Sequence, residues 1–252
     1  MSHLSGVIIL TTGSSGSSVL AGTIAAKGFW VGRETKKLNF DTYENARLVD
    51  LNVEILKAAG FQRYDCNDLP SPEVARIRSL AKSPLSSVCK DFIAECDAHR
   101  PWLWKDPRLS YTIHLWGHFL HLERIKFVFI ERDMKQSYAG LILSRRVPMS
   151  YAQHNMINQN YKNSVLSFFE THSVPFLMLE FEELLLKPES TLPRVSLFLE
   201  SNITVEDLRG VYKGPLYRVR YTKRDWYEAL LRYYLYRYVK RDYIRFPRGA
   251  IP

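Results

Sequence analysis

Short apolar runs alternate along this chain with longer stretches that have the residue spacing of α-helices. Four runs are candidate strands, at residues 7–10, 102–104, 127–130 and 176–179. Helical spacing is found at residues 18–27, 41–59, 77–98, 111–122, 136–145, 156–171 and 192–200. Continuous apolar runs are typical of parallel strands that are buried on both faces. The alternation therefore predicts a three-layer α/β fold, in which helices cover both faces of a parallel sheet.

The length and composition fit one domain. Of the 252 residues, 46% are hydrophobic and 24% are charged, as in ordinary globular proteins. We expect residues 1–252 to form a single domain, with residues 201–252 as a basic, aromatic-rich C-terminal extension. No apolar run reaches the roughly 18 residues of a membrane span, and the first residues lack the basic leader of a signal peptide. Cys66, Cys89 and Cys96 have neither zinc-site nor disulfide spacing, so we expect a cytoplasmic protein.

The C-terminal extension carries most of the net charge. The chain has a net charge of +9, and residues 217–252 hold ten Lys and Arg against three Asp and Glu. Within residues 226–246, six tyrosines lie among the basic residues, at positions 227, 233, 234, 236, 238 and 243. This composition fits four roles: stacking on adenine, binding of nucleic acid or another polyanion, weak contact with an anionic membrane surface, or an amphipathic helix packed on the domain. The sequence leaves these alternatives open.

A loop rich in Gly and Ser joins the first predicted strand to the first predicted helix, at residues 11–18. Glycines let backbone N–H groups point at an anion, the helix N-terminus adds partial positive charge, and the hydroxyls add donors. The pattern predicts a phosphate-binding loop and a P-loop-like sheet, with a turn capped by Ser17 or Ser18 as the alternative. The loop lacks the lysine of a Walker A motif, which argues against a nucleoside-triphosphate site.

Five segments, in their order along the chain, resemble sulfotransferases that use 3′-phosphoadenosine 5′-phosphosulfate (PAPS) as donor. Residues 13–18 resemble the family's 5′-phosphosulfate loop, and residues 39–56 resemble the segment that follows it. Residues 105–108 are similar to a Lys-Asp-Pro motif, and residues 127–133 to the strand and Arg-Asp turn that hold the donor's 3′-phosphate. Residues 180–185 resemble the last strand–helix unit. The similarity is to the bacterial type, which shares features with tyrosylprotein sulfotransferases.

The resemblance implies an enzyme that moves a sulfuryl group from PAPS to a hydroxyl or amine of an acceptor by in-line displacement, without a metal. The sequence identifies neither the acceptor nor the oligomeric state. Two alternatives remain. One is a catalytically impaired relative that binds a polyanion, and the other is a P-loop kinase, which the missing loop lysine disfavours.

The resemblance also assigns the residues that would bind the donor. They are Gly13, Ser14, Ser15, Gly16, Ser17 and Ser18 in the loop, with Arg132, Ser137 and Gly140 at the 3′-phosphate. Two of these depart from the family pattern, because Ser14 stands where the family has a basic residue and Gly140 where it has serine. Candidates to replace that serine are Ser137, Ser144, Arg145 and Arg146.

Lys105 is the candidate cation that would stabilise negative charge on the leaving oxygen of the donor. It ends a predicted strand, and ligands of open α/β sheets bind outside the carboxyl ends of the strands. Asp106 would hold Lys105 in place or accept a proton. As the residue before Pro107, it would alternatively form a turn.

Glu44 is the candidate base for the acceptor hydroxyl. In its predicted helix it shares a face with Leu48 and Leu51, which would leave its carboxylate half-buried and able to accept a proton. The resemblance to tyrosylprotein sulfotransferases places a catalytic glutamate in the same segment. The alternative is a structural role, since Asp41 and Glu44 have capping-box spacing. His114 is the rival base, because cytosolic sulfotransferases use a histidine.

Overall fold

Four parallel strands form the central sheet in the computed structural model of this chain, which describes residues 4–12, 14–37, 40–64, 73–143, 147, 149–212 and 222–238. The strands are β1 (Gly6–Thr11), β2 (Thr35–Lys37), β3 (Asp41–Asn45), β4 (Trp102–Lys105), β5 (Ile125–Glu131) and β6 (Phe176–Glu180). The helices are α1 (Ser17–Ala25), α2 (Ala46–Ala58), α3 (Val74–Ser79), α4 (Leu85–Asp97), α5 (Leu109–Trp116), α6 (Met134–Leu143), α7 (Tyr151–His172), α8 (Phe181–Leu186), α9 (Pro188–Leu199), α10 (Val205–Val211) and α11 (Lys223–Tyr238). The strand order is β4-β1-β5-β6, and β2 pairs antiparallel with β3 in a separate hairpin.

Alternate residues of β1 enter two cores on opposite faces of the sheet. Ile8 and Leu10 are buried against side chains of α2, α3, α4, α5 and α7. Val7 and Ile9 are buried against side chains of α1, α8, α9 and α10. A strand that is apolar at every position needs such a cover on both sides. The structure therefore confirms the predicted α/β fold with a parallel sheet and helices on both faces.

The start of the predicted helix at 41–59 is wrong. Residues 41–45 form β3, in which Glu44 lies opposite Lys36 of β2. Helix α2 begins only after Asn45, whose Oδ1 accepts hydrogen bonds from the backbone N–H groups of Arg47 (3.0 Å) and Leu48 (3.3 Å). Pairing with β2, which is a contact outside the segment itself, overrides the helical spacing. Glu44 therefore lies on a strand and takes no part in a capping box.

Asp41, the expected cap, makes different contacts. Its Oδ2 accepts a hydrogen bond from Thr35 Oγ1 (2.9 Å), and its Oδ1 accepts one from the backbone N–H of Tyr43 (2.8 Å). These bonds hold the two strands of the hairpin together and support Tyr43 at a positive φ of 54°. The carboxylate that was expected to start the helix thus stabilises the pairing of β2 with β3.

Other predicted elements differ mainly at their ends. Helix α5 runs from Leu109 to Trp116 and is shorter than the predicted 111–122. The predicted helix at 77–98 is divided, because Pro84 lies between α3 and α4. The cap of α1 is Gly16, without a side-chain hydrogen bond, so the alternative of a Ser17 or Ser18 cap is wrong.

The described part of the C-terminal region packs on the domain. Leu208 of α10 is buried in the core that contains α1. On α11, Ala229 is buried and the ring of Trp226 lies 5.5 Å from the ring of Tyr138 in α6. Within the described residues, no helix has the length and hydrophobicity needed to cross a membrane.

The position of the α2 N-terminus can be tested with one substitution. We expect Asn45→Ala to lower the free energy of unfolding by about 1 kcal/mol, because the amides of Arg47 and Leu48 lose their cap. Hydrogen exchange at those two amides should become faster. Asp41→Ala is the control and should leave both amides protected. Faster exchange in the Asp41 variant alone would show that the helix starts at the earlier position.

Candidate active site

The carboxyl ends of three neighbouring strands converge on one edge of the sheet. The loop at residues 12–16 follows β1, Lys105 ends β4, and Arg132 follows β5. Because β1 lies between β4 and β5, the loop is flanked by Lys105 on one side and Arg132 on the other. This edge is where open α/β sheets bind their ligands. Gly13 of the predicted donor loop lies outside the described residues.

Lys105 is the most enclosed cation of this site, with 3% of its side chain exposed. Its Nζ donates to Glu44 Oε1 (2.5 Å), to Ser18 Oγ (3.0 Å) and, more weakly, to the backbone carbonyl oxygen of Thr42 (3.5 Å). The partners come from the start of α1 and from β3. A buried ammonium group requires such partners to offset its lost hydration. Three residues singled out in the sequence, Lys105, Glu44 and Ser18, thus share one hydrogen-bond cluster.

Glu44 reaches this cluster from the β2–β3 hairpin. Its side chain is 16% exposed, so the carboxylate lies between the buried ammonium group and solvent. The half-buried position expected from the sequence is therefore found, although a strand provides it. The pair brings a proton acceptor and a cation within one hydrogen bond of each other.

Asp106 is fully buried and fixes the turn after Lys105. Its Oδ2 accepts a hydrogen bond from Asn52 Nδ2 (2.8 Å). Its Oδ1 accepts bonds from the backbone N–H (3.1 Å) and Nη1 (2.9 Å) of Arg108. Asn52 Oδ1 in turn accepts from Thr112 Oγ1 (2.7 Å) and Trp116 Nε1 (2.9 Å). These bonds suit the predicted turn-forming role of Asp106, since they tie the turn to α2 and α5.

The loop between β1 and α1 has a backbone suited to an anion. Ser14 has a φ of 58° and Gly16 a φ of 75°, and both values turn the chain sharply. Ser15 Oγ contacts Thr11 Oγ1, and Ser17 is buried where α1 begins. Ser14 Oγ is buried and has no hydrogen-bond partner within the described part of the chain. A buried hydroxyl normally has a partner, and an anion bound in the loop would provide one.

Phe181 connects the loop to Arg132, and sequence reasoning missed it. A Cβ atom added to Gly16 would lie 2.2 Å from the Phe181 ring, so glycine is needed there for space as well as for its φ. The guanidinium carbon of Arg132 lies 5.0 Å from the centroid of the same ring. Arg132 Nε also donates to Glu182 Oε1 at 3.4 Å. The resemblance of residues 180–185 marked the segment, but no local pattern indicated these contacts.

Ser137 and Gly140 lie buried on α6, which follows Arg132. Ser137 Oγ is 3.1 Å from Nε2 of His154, whose pKa is lowered by burial to about 4, so the imidazole is neutral near pH 7. Asp133 Oδ1 accepts from the backbone N–H of Gln136 (2.9 Å) and so caps the first turn of α6. The other candidates for the missing serine, at positions 144–146, lie outside the described residues.

His114, the rival base, makes its contacts away from this cluster. Its Nε2 lies 3.1 Å from Ser164 Oγ of α7, and its Nδ1 lies 3.4 Å from Nη2 of Arg78 in α3. Burial is the main cause that lowers the pKa of His114 to about 4. A neutral, enclosed imidazole bonded to two helices fits a structural role in packing α5.

Solved structures with this fold include two sulfotransferase domains. The sulfotransferase domain from the Synechococcus PCC 7002 olefin synthase aligns with a TM-score of 0.52 and 19% identity, over 86% of this chain and 80% of its own length. The sulfotransferase domain from the curacin biosynthetic pathway aligns with a TM-score of 0.52 and 14% identity, over the same shares. No protein-family model and no curated protein matches the sequence. At these identities the likeness establishes the fold alone.

The fit between the loop and Phe181 can be tested with two glycines. We expect Gly16→Ala to lower the free energy of unfolding by roughly 2–4 kcal/mol, since it adds both backbone strain and a collision with the ring. Gly28→Ala is the control, because Gly28 has a φ of 86° with nothing within 4 Å of the added carbon. The Gly28 variant should lower the free energy of unfolding by only about 1–2 kcal/mol. Urea unfolding measures the stability of both variants, and an equal loss in the two would mean that Phe181 moves aside freely.

Proposed function

We propose that this protein is a sulfotransferase that transfers a sulfuryl group from PAPS to a hydroxyl or amine of an acceptor. The observation that carries the proposal is the buried cluster in which Lys105 binds both Ser18, next to the anion loop, and Glu44. One group of hydrogen bonds therefore combines a cation, a proton acceptor and the start of an anion-binding helix. The shared fold of the two sulfotransferase domains supports this assignment.

The residues present fit a donor with two separate anionic groups. Ser14 Oγ, which is buried without a partner in the described chain, and the N-terminus of α1 would hold the 5′-phosphosulfate. Arg132, held on the ring of Phe181, would hold the 3′-phosphate. PAPS, when bound, supplies an activated sulfuryl group whose departure leaves adenosine 3′,5′-bisphosphate.

Lys105 and Glu44 would perform the chemistry beside the loop. Sulfuryl transfer needs charge stabilisation and exact positioning of the reactants, as phosphoryl transfer does. Lys105 stabilises negative charge next to the loop, and the Glu44 carboxylate accepts the proton of the acceptor hydroxyl. Their mutual hydrogen bond of 2.5 Å orients both groups. Asp106 acts through the turn that follows Lys105.

Nucleotide binding tests the donor. Adenosine 3′,5′-bisphosphate without magnesium, at 100 times its dissociation constant, should stabilise the fold by about 2.7 kcal/mol and raise the Tm by roughly 5–10 °C. Arg132→Ala should remove most of that shift. Arg194→Ala is a matched control. Arg194 pairs with Glu183 of α8, just as Arg132 pairs with the neighbouring Glu182 of the same helix. It should leave the shift unchanged.

Two other results of the nucleotide experiment would overturn the proposal. A larger shift with ATP and magnesium would identify a kinase. A shift with heparin but with neither nucleotide would identify a polyanion-binding protein without catalysis.

Turnover tests the two catalytic residues. With PAPS and a panel of phenol, sugar, amine and peptide acceptors, Lys105→Ala should reduce the rate by roughly 10²–10³. Glu44→Gln should also slow turnover at unchanged bisphosphate affinity, since glutamine keeps a hydrogen-bond acceptor for Lys105 but cannot take a proton. Lys36→Ala is the control, because Lys36 is an exposed cation of the same hairpin and pairs with Asp50. A normal rate for Glu44→Gln would limit Glu44 to holding Lys105.

A further inference from the structure

Helix α11 has one apolar face packed on the domain. Trp226 and Ala229 contact the α6–α7 region, where the Trp226 ring lies 5.0 Å from that of Tyr151. Leu230 and Tyr233, also on this face, are partly buried in the same cluster. This face holds the helix on the domain and determines which side of α11 points to solvent.

A second side of α11, which is exposed to solvent, is apolar as well. It consists of five exposed side chains, Tyr227 (68%), Leu231 (58%), Tyr234 (59%), Leu235 (40%) and Tyr238 (60%). Their spacing of four, seven, eight and eleven residues from the first places them in one row along the helix. We call this row the exposed stripe. Elsewhere in the described chain, large exposed apolar side chains include Leu197 on α9 and Phe40. A continuous row of this kind marks an interaction surface.

The segment that contains the exposed stripe has a positive net charge. Helix α11 carries four basic residues, Lys223, Arg224, Arg232 and Arg237, against two acidic ones, Asp225 and Glu228. One of them, Arg232, forms an ion pair with Glu228 (2.5 Å) one turn earlier on the helix. The surrounding sequence at 217–252 holds ten basic against three acidic residues. The partner of the stripe must therefore offer both an apolar region and negative charge.

Three classes of partner meet these two requirements to different degrees. A second copy of this chain would cover the stripe but would bring two strongly basic segments together, which is repulsive. A single-stranded nucleic acid would supply charge and stack on the tyrosines, but Leu231 and Leu235 offer no ring for stacking. An anionic bilayer takes leucines into its interface, accommodates tyrosine at headgroup level and attracts the arginines.

We propose that α11 binds the protein to anionic membrane surfaces through the exposed stripe. The two leucines enter the headgroup and acyl boundary, and the tyrosine hydroxyls stay with the headgroups. Because the other face of α11 packs on α6, the whole domain is carried to the membrane with the helix. This inference is independent of the proposed catalytic function.

Co-sedimentation of the full chain with vesicles tests the proposal. We expect binding to phosphatidylcholine vesicles that contain phosphatidylserine, and much weaker binding to pure phosphatidylcholine. Added salt should weaken the binding, because it screens the attraction of the basic residues. The double variant Leu231→Ser with Leu235→Ser should reduce the affinity by about tenfold or more, as it removes the two side chains that insert.

The matched control is Leu197→Ser, which removes a leucine that is 84% exposed on α9 and should not change vesicle binding. Thermal melting of each variant checks the fold, and Tyr234→Ser replaces the double variant if that protein melts abnormally. Equal binding to both kinds of vesicle, or full binding by the stripe variants, would overturn the proposal. So would a dimer in the absence of lipid that the leucine variant dissociates, or binding to single-stranded oligonucleotides but not to vesicles.

Discussion

The rest of the site depends on the hydrogen bonds that the buried ammonium group of Lys105 donates. A charge with 3% of its side chain exposed is tolerated only with close partners, and those partners belong to different elements. Ser18 comes from α1, while Glu44 and the Thr42 carbonyl come from the β2–β3 hairpin. The helix after the loop and the hairpin must therefore both be in place before the lysine at the end of β4 is satisfied.

A second network holds the turn that carries Lys105. The Asp106 carboxylate receives bonds from Asn52 and Arg108, and Asn52 accepts further bonds from two residues of α5. Every member of such a buried network needs its partner, because an unsatisfied group in a low-dielectric interior is costly. The network makes the end of β4 rigid, which fits the precise positioning that the proposed chemistry requires.

Phe181 performs the corresponding task on the other side of the loop. Its ring packs directly on Gly16 and lies beneath the guanidinium group of Arg132. One aromatic side chain therefore sets the distance between the two proposed anion sites. The fold shared with the two sulfotransferase domains brings the carboxyl ends of β1 and β5 together, and Phe181 determines how the side chains meet there.

The sequence by itself determined the layered α/β architecture and the sheet edge at which the candidate site lies. Continuous apolar runs such as residues 7–10 are typical of strands that are buried on both faces of a sheet. A loop that joins such a strand to a helix lies at the carboxyl end of the strand, where open α/β sheets bind ligands. Only the tertiary structure decided how Glu44 reaches Lys105, since β3 exists through its pairing with β2 and not through its own residue spacing. The contacts of Phe181 were equally invisible, because they join residues far apart in the chain. Local residue patterns indicate only local conformational preferences. Pairing and packing between distant segments override these preferences where the resulting structure buries more apolar groups or forms more hydrogen bonds.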